Sequence, residues 1–169
     1  MVYIGAIFLF IASLVQAVVM PQSLPVSARP HFVVLLVVAV CLAESLYDAT
    51  MWAFVGGIML DLMNGPIYPL GSNALILLLI ALLASLGQAN PFHNLIFVPL
   101  VTVFAATIFY YLMTMGLLFA LGHHEVAFVD NMLRVALPGA LLNAILMPVA
   151  YSAMLWLSER VGRRVRVEW

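Results

Sequence analysis

The sequence contains no lysine and a single cysteine, and few of its residues carry charge. Charged residues make up 8% of the 169 positions, and the formal net charge is -1. A chain so poor in cations lacks the basic surface that holds nucleic-acid phosphates. Without lysine it also lacks the lysine-bearing phosphate loop of many nucleotide-binding proteins. Cys41 cannot form an intrachain disulfide, and its apolar surroundings are typical of a small buried residue.

Apolar side chains are in large excess, at 66% of the residues. Soluble domains carry about a quarter charged residues and less than half apolar ones. The bilayer core is about 30 Å thick and needs roughly 20 apolar residues per helical crossing, so the length allows about six crossings. The composition therefore predicts an all-α integral membrane protein, a compact bundle of about six transmembrane helices with no sizeable domain outside the bilayer.

Proline, glycine, asparagine and charged residues interrupt the apolar pattern and mark the loops. We predict one transmembrane domain, residues 1–158, followed by a short tail, residues 159–169. The first apolar run has no positively charged start, so we interpret it as a helix and not as a signal peptide. The predicted helices cover residues 2–20, 32–46, 51–63, 73–86, 94–121 and 132–157.

The third and fourth predicted helices are short for a membrane crossing. A run of about 13 residues extends only about 20 Å at the α-helical rise. Either polar helix ends lie inside the bundle, or the pair forms a re-entrant hairpin. Irregular backbone at that depth is tolerated only where protein or a water-filled cavity surrounds it.

The basic residues predict the orientation of the chain. The tail after the last helix is rich in arginine, which by the positive-inside rule places the C-terminus in the cytoplasm. Six crossings then place the N-terminus there too. The loops with Arg29 and Arg134 face outward in this topology, a conflict that the tail outweighs. The tail is also suited to contact anionic lipid. Its arginines, which we expect to be a cytoplasmic anchor, are Arg160, Arg163, Arg164 and Arg166.

A stripe of small residues is the most informative pattern. Ala53, Gly57, Asp61 and Gly65 recur every four residues and so share one helical face. Small residues let two helices in a membrane approach closely. Asp61 adds a carboxylate, and an ionisable group in a membrane segment is a functional-site hypothesis by default. Either it bridges neighbouring helices, with a polar partner such as Asn64, or it takes part in transport or catalysis.

Other polar residues permit weaker interpretations. Glu44 and Asp48 lie one helical turn apart. The pair fits either of two interpretations, a site for a cation or proton, or the solvated polar end of a helix. The adjacent His123, His124 and Glu125 are more typical of a surface loop than of a metal site, because neighbouring residues converge poorly on one ion.

Asn143 lies deep in the last predicted helix, between Pro138 and Pro148. Prolines kink a transmembrane helix and free backbone groups that neighbouring helices must satisfy. We therefore expect Asn143 to link helices through hydrogen bonds.

Nothing in the sequence predicts catalysis. No serine lies in a glycine-framed elbow, and no histidine lies well inside a predicted helix to act as its base. We predict no catalytic, cofactor or metal site. An intramembrane enzyme remains an alternative, and it requires two catalytic groups within hydrogen-bond reach in a hydrated cavity.

Residues 29–75 carry three motifs. Arg29-Pro30-His31-Phe32 starts the second helix, residues 57–65 read GIMLDLMNG, and residues 69–75 read PLGSNAL. Together they resemble the MreD family of bacterial rod-shape membrane proteins, with its Arg-Pro-x-aromatic start, its Leu-Asp-Leu between glycines and its Pro-Leu-Gly. Chain length and helix number fit over nearly the whole chain. The loop at residues 64–70 is longer than the family's usual connection.

The resemblance implies a fold similar to the S-components of energy-coupling-factor transporters and a place in the bacterial inner (plasma) membrane. It implies a non-enzymatic scaffold that needs no cofactor, binds MreC and helps to organise peptidoglycan synthesis. Through MreC it implies indirect partners: MreB, the RodA glycosyltransferase and a class B penicillin-binding protein. A chain with so little outside the bilayer must recognise partners through helix faces, and we expect Ala53, Gly57 and Asp61 to centre the docking face.

A small-solute binding or transport subunit of the S-component type is the alternative. It would use Asp61, with Glu44 or Asn143, as ligands inside the bundle. Fold alone does not separate the two functions. A transport subunit needs a polar pocket of ligand size, whereas a scaffold needs a tightly packed interior and a lateral apolar groove.

Overall fold

A computed structural model describes residues 2–19, 29–63, 69–88, 97–122 and 128–160. In these ranges the chain forms six helical segments and no strand. Helix α1, Val2–Leu14, continues into a π-helical turn, Val15–Val19. Helices α2 to α5 are Phe32–Ala43, Leu46–Met63, Ser72–Gln88 and Phe97–Ala120. Helix α6 starts at Phe128–Asn131, passes through a π-helical turn, Met132–Ala136, and continues as Leu137–Arg160.

Helix α2 lies at the centre of the bundle and packs against each of the other five segments. Nine of its 12 residues are buried, from Val33 to Leu42. A helix that is apolar all round is normally a core helix. At the α-helical rise it extends about 18 Å, less than the hydrocarbon thickness. Its neighbours therefore surround α2.

The third and fourth segments were predicted as short or re-entrant. In the described residues α3 and α4 are continuous helices of 18 and 17 residues, longer than the predicted 13 and 14, and the apolar part of α4, residues 72–86, is still shorter than a full crossing. Helix α3 begins at Leu46 and not at residue 51, because Ser45 caps it. The Ser45 hydroxyl accepts a hydrogen bond from the Asp48 backbone N–H at 3.3 Å and donates to Asp48 Oδ2 at 2.8 Å. This is a variant of the capping box, which satisfies orphan donors at a helix start.

The same cap separates two carboxylates that the sequence placed on one helical face. Glu44 follows the last residue of α2, and Asp48 lies in the first turn of α3. The chain changes direction between them. Glu44 and Asp48 are therefore not a pair on one face of the second helix.

The outer surface of the bundle is apolar. By length and composition, the described helices Phe97–Ala120 and Val129–Ser158 are able to cross a membrane. Helices 8–18, 32–43 and 72–86 are apolar but shorter. Large side chains point outward on several helices, as a lipid-facing surface requires; examples are Leu62, Leu86, Phe97, Ile145 and Val149, each more than half exposed.

Candidate functional site: a buried polar cluster and two lateral grooves

Asp61 lies near the end of α3 and is buried, with 4% of its surface exposed. Its Oδ2 accepts from the Gly71 N–H at 2.9 Å, and its Oδ1 accepts from the backbone N–H and the Nδ2 of Asn73 at 3.1 and 2.8 Å. The first N–H groups of a helix lack partners inside it and carry partial positive charge. Asp61 therefore caps the start of α4 from a neighbouring helix. Gly71 has φ +96°, a left-handed conformation that favours glycine, where the chain turns into α4.

Asn73 also forms a hydrogen bond to α5. The Tyr110 hydroxyl donates a hydrogen bond to Asn73 Oδ1, and both side chains are buried. The amide nitrogen of Asn73 therefore faces Asp61, and its oxygen faces Tyr110. One hydrogen-bonded series thus joins α3, α4 and α5.

His31 and Asn143 join the remaining core helices. The Tyr110 and His31 rings pack with centroids 4.1 Å apart. Asn143 Oδ1 accepts from the His31 backbone N–H at 3.0 Å, while its Nδ2 donates to the His31 carbonyl at 3.3 Å and to Thr107 Oγ1 at 2.9 Å. Asn143 is fully buried. It links the start of α2 to the middle of α5 and α6.

Helix α1 contributes Gln16, which lies in its π-helical turn. Gln16 Oε1 accepts from the Val33 N–H at 3.1 Å, and its amide nitrogen lies 3.0 Å from His31 Nε2. The His31 ring accepts from the Val34 N–H at 3.4 Å. Two orphan N–H groups at the start of the central helix are thereby satisfied.

All six helical segments therefore meet in one buried polar cluster. Its members are Gln16, His31, Asp61, Asn73, Thr107, Tyr110 and Asn143. Each member bonds to another member or to backbone, so the cluster stabilises the packing of the helices. Among the described residues no three His, Cys, Asp or Glu side chains are grouped to hold a metal ion.

The small-residue stripe lies inside the bundle. Ala53 is fully buried, and a Cβ added at Gly57 would lie 2.2 Å from the Cα of Ala74 in α4. This stripe was expected to serve either partner binding or helix packing. Its contacts with α4 are helix-packing contacts. A partner's helix would have to displace α4 to dock there. Gly65 lies outside the described residues.

Several other predicted features also fall outside the described residues. Arg160 ends α6, but the rest of the tail, with Arg163, Arg164 and Arg166, is not among them. The loop with His123, His124 and Glu125 is not described either. Arg134 forms an ion pair with Asp130, and both side chains are largely exposed.

Sequence reasoning did not single out Gln16, His31 or Asn73 as members of a polar site. Their signal was nevertheless present, since a polar side chain is expensive in an apolar segment and needs a partner. Gln16 stands near the end of the first apolar run, and His31 and Asn73 stand where helices begin. The sequence could not show that these positions converge.

Two accessible grooves formed by described residues lie on the sides of the bundle. A groove of about 310 Å³ runs between α4 and α5; its lining includes Ile80, Ala84, Thr102, Ala105, Ala106 and Phe109. A second groove of about 150 Å³ lies where α1, α2, α3 and α6 meet; its lining includes Phe8, Leu36, Trp52, Ala153 and Trp156. We call the first the α4–α5 groove and the second the tryptophan groove. Both are lined mainly by apolar atoms.

An apolar exterior, a helical fold and a hydrogen-bonded polar cluster in the interior define a helical membrane protein. The family model for rod shape-determining protein MreD matches residues 1–160 of the 169-residue chain. The chain belongs to the MreD family and so has a role in the rod-shape machinery. Members of this family are structural membrane proteins of shape determination and are not known as enzymes. No curated protein and no solved structure matches the chain.

Proposed function

We propose that the chain is a non-enzymatic scaffold of the bacterial elongation machinery that binds an MreC-like bitopic membrane protein. Family membership supplies the cell-shape context. The observation that supports scaffolding is the contrast between interior and surface. The side chains of the buried polar cluster bond to one another or to backbone, while the two described grooves on the sides of the bundle are apolar. Ligand pockets place polar groups toward a cavity, whereas helix recognition in membranes uses close packing.

The partner connects the scaffold to peptidoglycan synthesis. Through the MreC-like protein the chain is linked to the MreB filament, the RodA glycosyltransferase and a class B penicillin-binding protein. It spans the inner membrane several times, with both termini in the cytoplasm. The basic tail holds that orientation and contacts anionic lipid.

The partner's single transmembrane helix occupies the α4–α5 groove. Ala84, Ala105 and Ala106 form much of its lining, and Thr102 adds a hydroxyl. Small side chains allow a second helix to approach closely, and lipid chains pack less well against such a surface. The tryptophan groove is smaller and has bulky aromatic walls, which keep a helix backbone farther away.

Affinity purification from native membranes, with mass spectrometry of the retained proteins, tests the proposal. Ala105→Leu fills the α4–α5 groove and is expected to reduce recovery of the bitopic partner at least several-fold. Ala153→Leu is the matched control, since it makes the same change at another exposed alanine, in the tryptophan groove. Loss with Ala153→Leu alone would move the docking site to that groove. Failure of the wild-type chain to retain a bitopic partner would refute the scaffold.

The solute-binding alternative has less support from the geometry. Asp61 and Asn143 already bond to neighbouring helices. Glu44 follows the end of α2, whereas His31, the partner of Asn143, precedes its start. Asp61 and Asn143 thus belong to the same buried cluster but have their polar atoms engaged by neighbouring helices, and Glu44 lies at the other end of α2. Copurification of ATPase subunits or of a tightly bound small molecule would favour the alternative.

A further inference from the structure

The polar cluster and the α4–α5 groove share the same two helices. Tyr110 of α5 points inward to Asn73 of α4, whereas its neighbour Phe109 lines the groove. Farther from this contact, Ala84 of α4 and Thr102 of α5 line the same groove. The two helices therefore run antiparallel, joined at Asn73 and Tyr110, and the groove lies between them on one side of that point.

The Asn73–Tyr110 contact is held from both sides. Asp61 receives both the backbone N–H and the Nδ2 of Asn73, which fixes the amide with its oxygen toward α5. The Tyr110 ring packs against His31 at 4.1 Å and against Tyr111 at 5.9 Å between centroids. Neither partner can turn away without losing these contacts.

We infer that the Asn73–Tyr110 hydrogen bond is the joint that sets the separation of α4 and α5, and hence the width of the α4–α5 groove, with Asp61 as the residue that orients Asn73. Only the groove's importance for partner binding rests on the proposed function. The joint itself is a property of the isolated chain. Tyr110 and Asp61 thus act as positioning residues behind a surface that neither of them lines.

Spin labels test the joint in the purified full-length chain in lipid nanodiscs, with no partner present. Cysteines at Leu86 and Phe97, both exposed beyond the groove on α4 and α5, carry the labels. Cys41 is replaced by alanine throughout. Tyr110→Phe keeps the ring and removes the hydroxyl, so the label separation is expected to broaden and shift to longer distances. Tyr111→Phe is the matched control at the adjacent tyrosine and should leave the distribution unchanged.

Two further measurements make the test decisive. Asp61→Asn gives Asn73 a neighbour that both donates and accepts, so the amide loses its fixed direction and the distribution should broaden as with Tyr110→Phe. A reference label pair at Phe54 and Val149, on α3 and α6, should not move in either variant. Unchanged Leu86–Phe97 distances in both variants, or equal broadening of the reference pair, would overturn the joint.

Partner recovery then separates the joint from the proposed function. If the groove is the docking site, Tyr110→Phe should also reduce retention of the bitopic partner in the affinity experiment, and Tyr111→Phe should not. A widened groove with full partner retention would support the joint and overturn the assignment of the groove as the docking site.

Discussion

Gly57 of α3 and Ala74 of α4 bring the backbones of their helices into direct contact. A Cβ at Gly57 would lie 2.2 Å from the Ala74 Cα and 2.5 Å from its backbone nitrogen. No side chain, not even a methyl group, fits between them. Asp61 stands one turn farther along the same face. The close approach at Gly57 therefore also carries the Asp61 carboxylate to the start of α4.

Gly57→Ala is expected to destabilise the protein. The obstacle is backbone and cannot rotate away, so α3 and α4 must separate; an overpacked site usually costs about 1–3 kcal/mol. Gly116→Ala is the matched control, because a Cβ there meets no atom within 4 Å. Thermal denaturation in detergent, followed by size-exclusion chromatography, compares the two. Equal stability of both variants would contradict the close contact.

Asn143→Leu is expected to weaken the core where α2, α5 and α6 meet. The His31 carbonyl keeps the Leu35 N–H as a partner, but the His31 N–H loses its acceptor. A buried unpaired donor costs about 1–3 kcal/mol. Reversible unfolding in mixed micelles measures the loss, and Ser152→Ala, at an exposed polar residue of the same helix, should leave stability unchanged. Stability equal to wild type would show that the bonds to His31 contribute nothing.

Ser45→Ala is expected to loosen the first turn of α3. It removes the acceptor of the Asp48 N–H, and loss of such a cap costs about 1 kcal/mol. Hydrogen exchange of peptides covering residues 45–50 should become faster, while exchange in α4 stays the same. Ser45→Thr keeps a hydroxyl that both accepts from the Asp48 N–H and donates to its carboxylate, and it should restore slow exchange. If Ser45→Ala exchanges like wild type, the cap does not fix the start of α3.

Reporter fusions test the predicted topology. The arginine-rich tail should keep the C-terminus in the cytoplasm, so a C-terminal fluorescent protein should fold and fluoresce there. Alkaline phosphatase fused after the tail should be inactive, and the same enzyme inserted within residues 64–68 should be active. Replacing all four tail arginines with glutamine should weaken this bias. An active phosphatase at the C-terminus would reverse the orientation.

Composition and periodicity were sufficient to predict a helical bundle of six segments. In a membrane each helix makes its own backbone hydrogen bonds, so each apolar run in the sequence can be assigned to a helix separately. The lengths of the segments were less accessible. The S-x-x-D pattern at Ser45 starts a helix inside what looked like the polar end of the preceding one. Local hydrogen bonds of this kind determine where a helix begins, and the hydropathy pattern alone does not show it.

The sequence by itself determined that Asp61 and Asn143 needed partners, since a polar group in an apolar segment is costly unless it is bonded. Only the tertiary structure decided which partners they have. Asn73 and His31 stand at the starts of other helices, and Gly57 permits the approach that brings Asp61 to Asn73. The tertiary structure also decided that the small-residue stripe faces inward, against α4. The sequence could not decide this, because a stripe of glycine and alanine packs equally well against a helix of the same chain or of another protein.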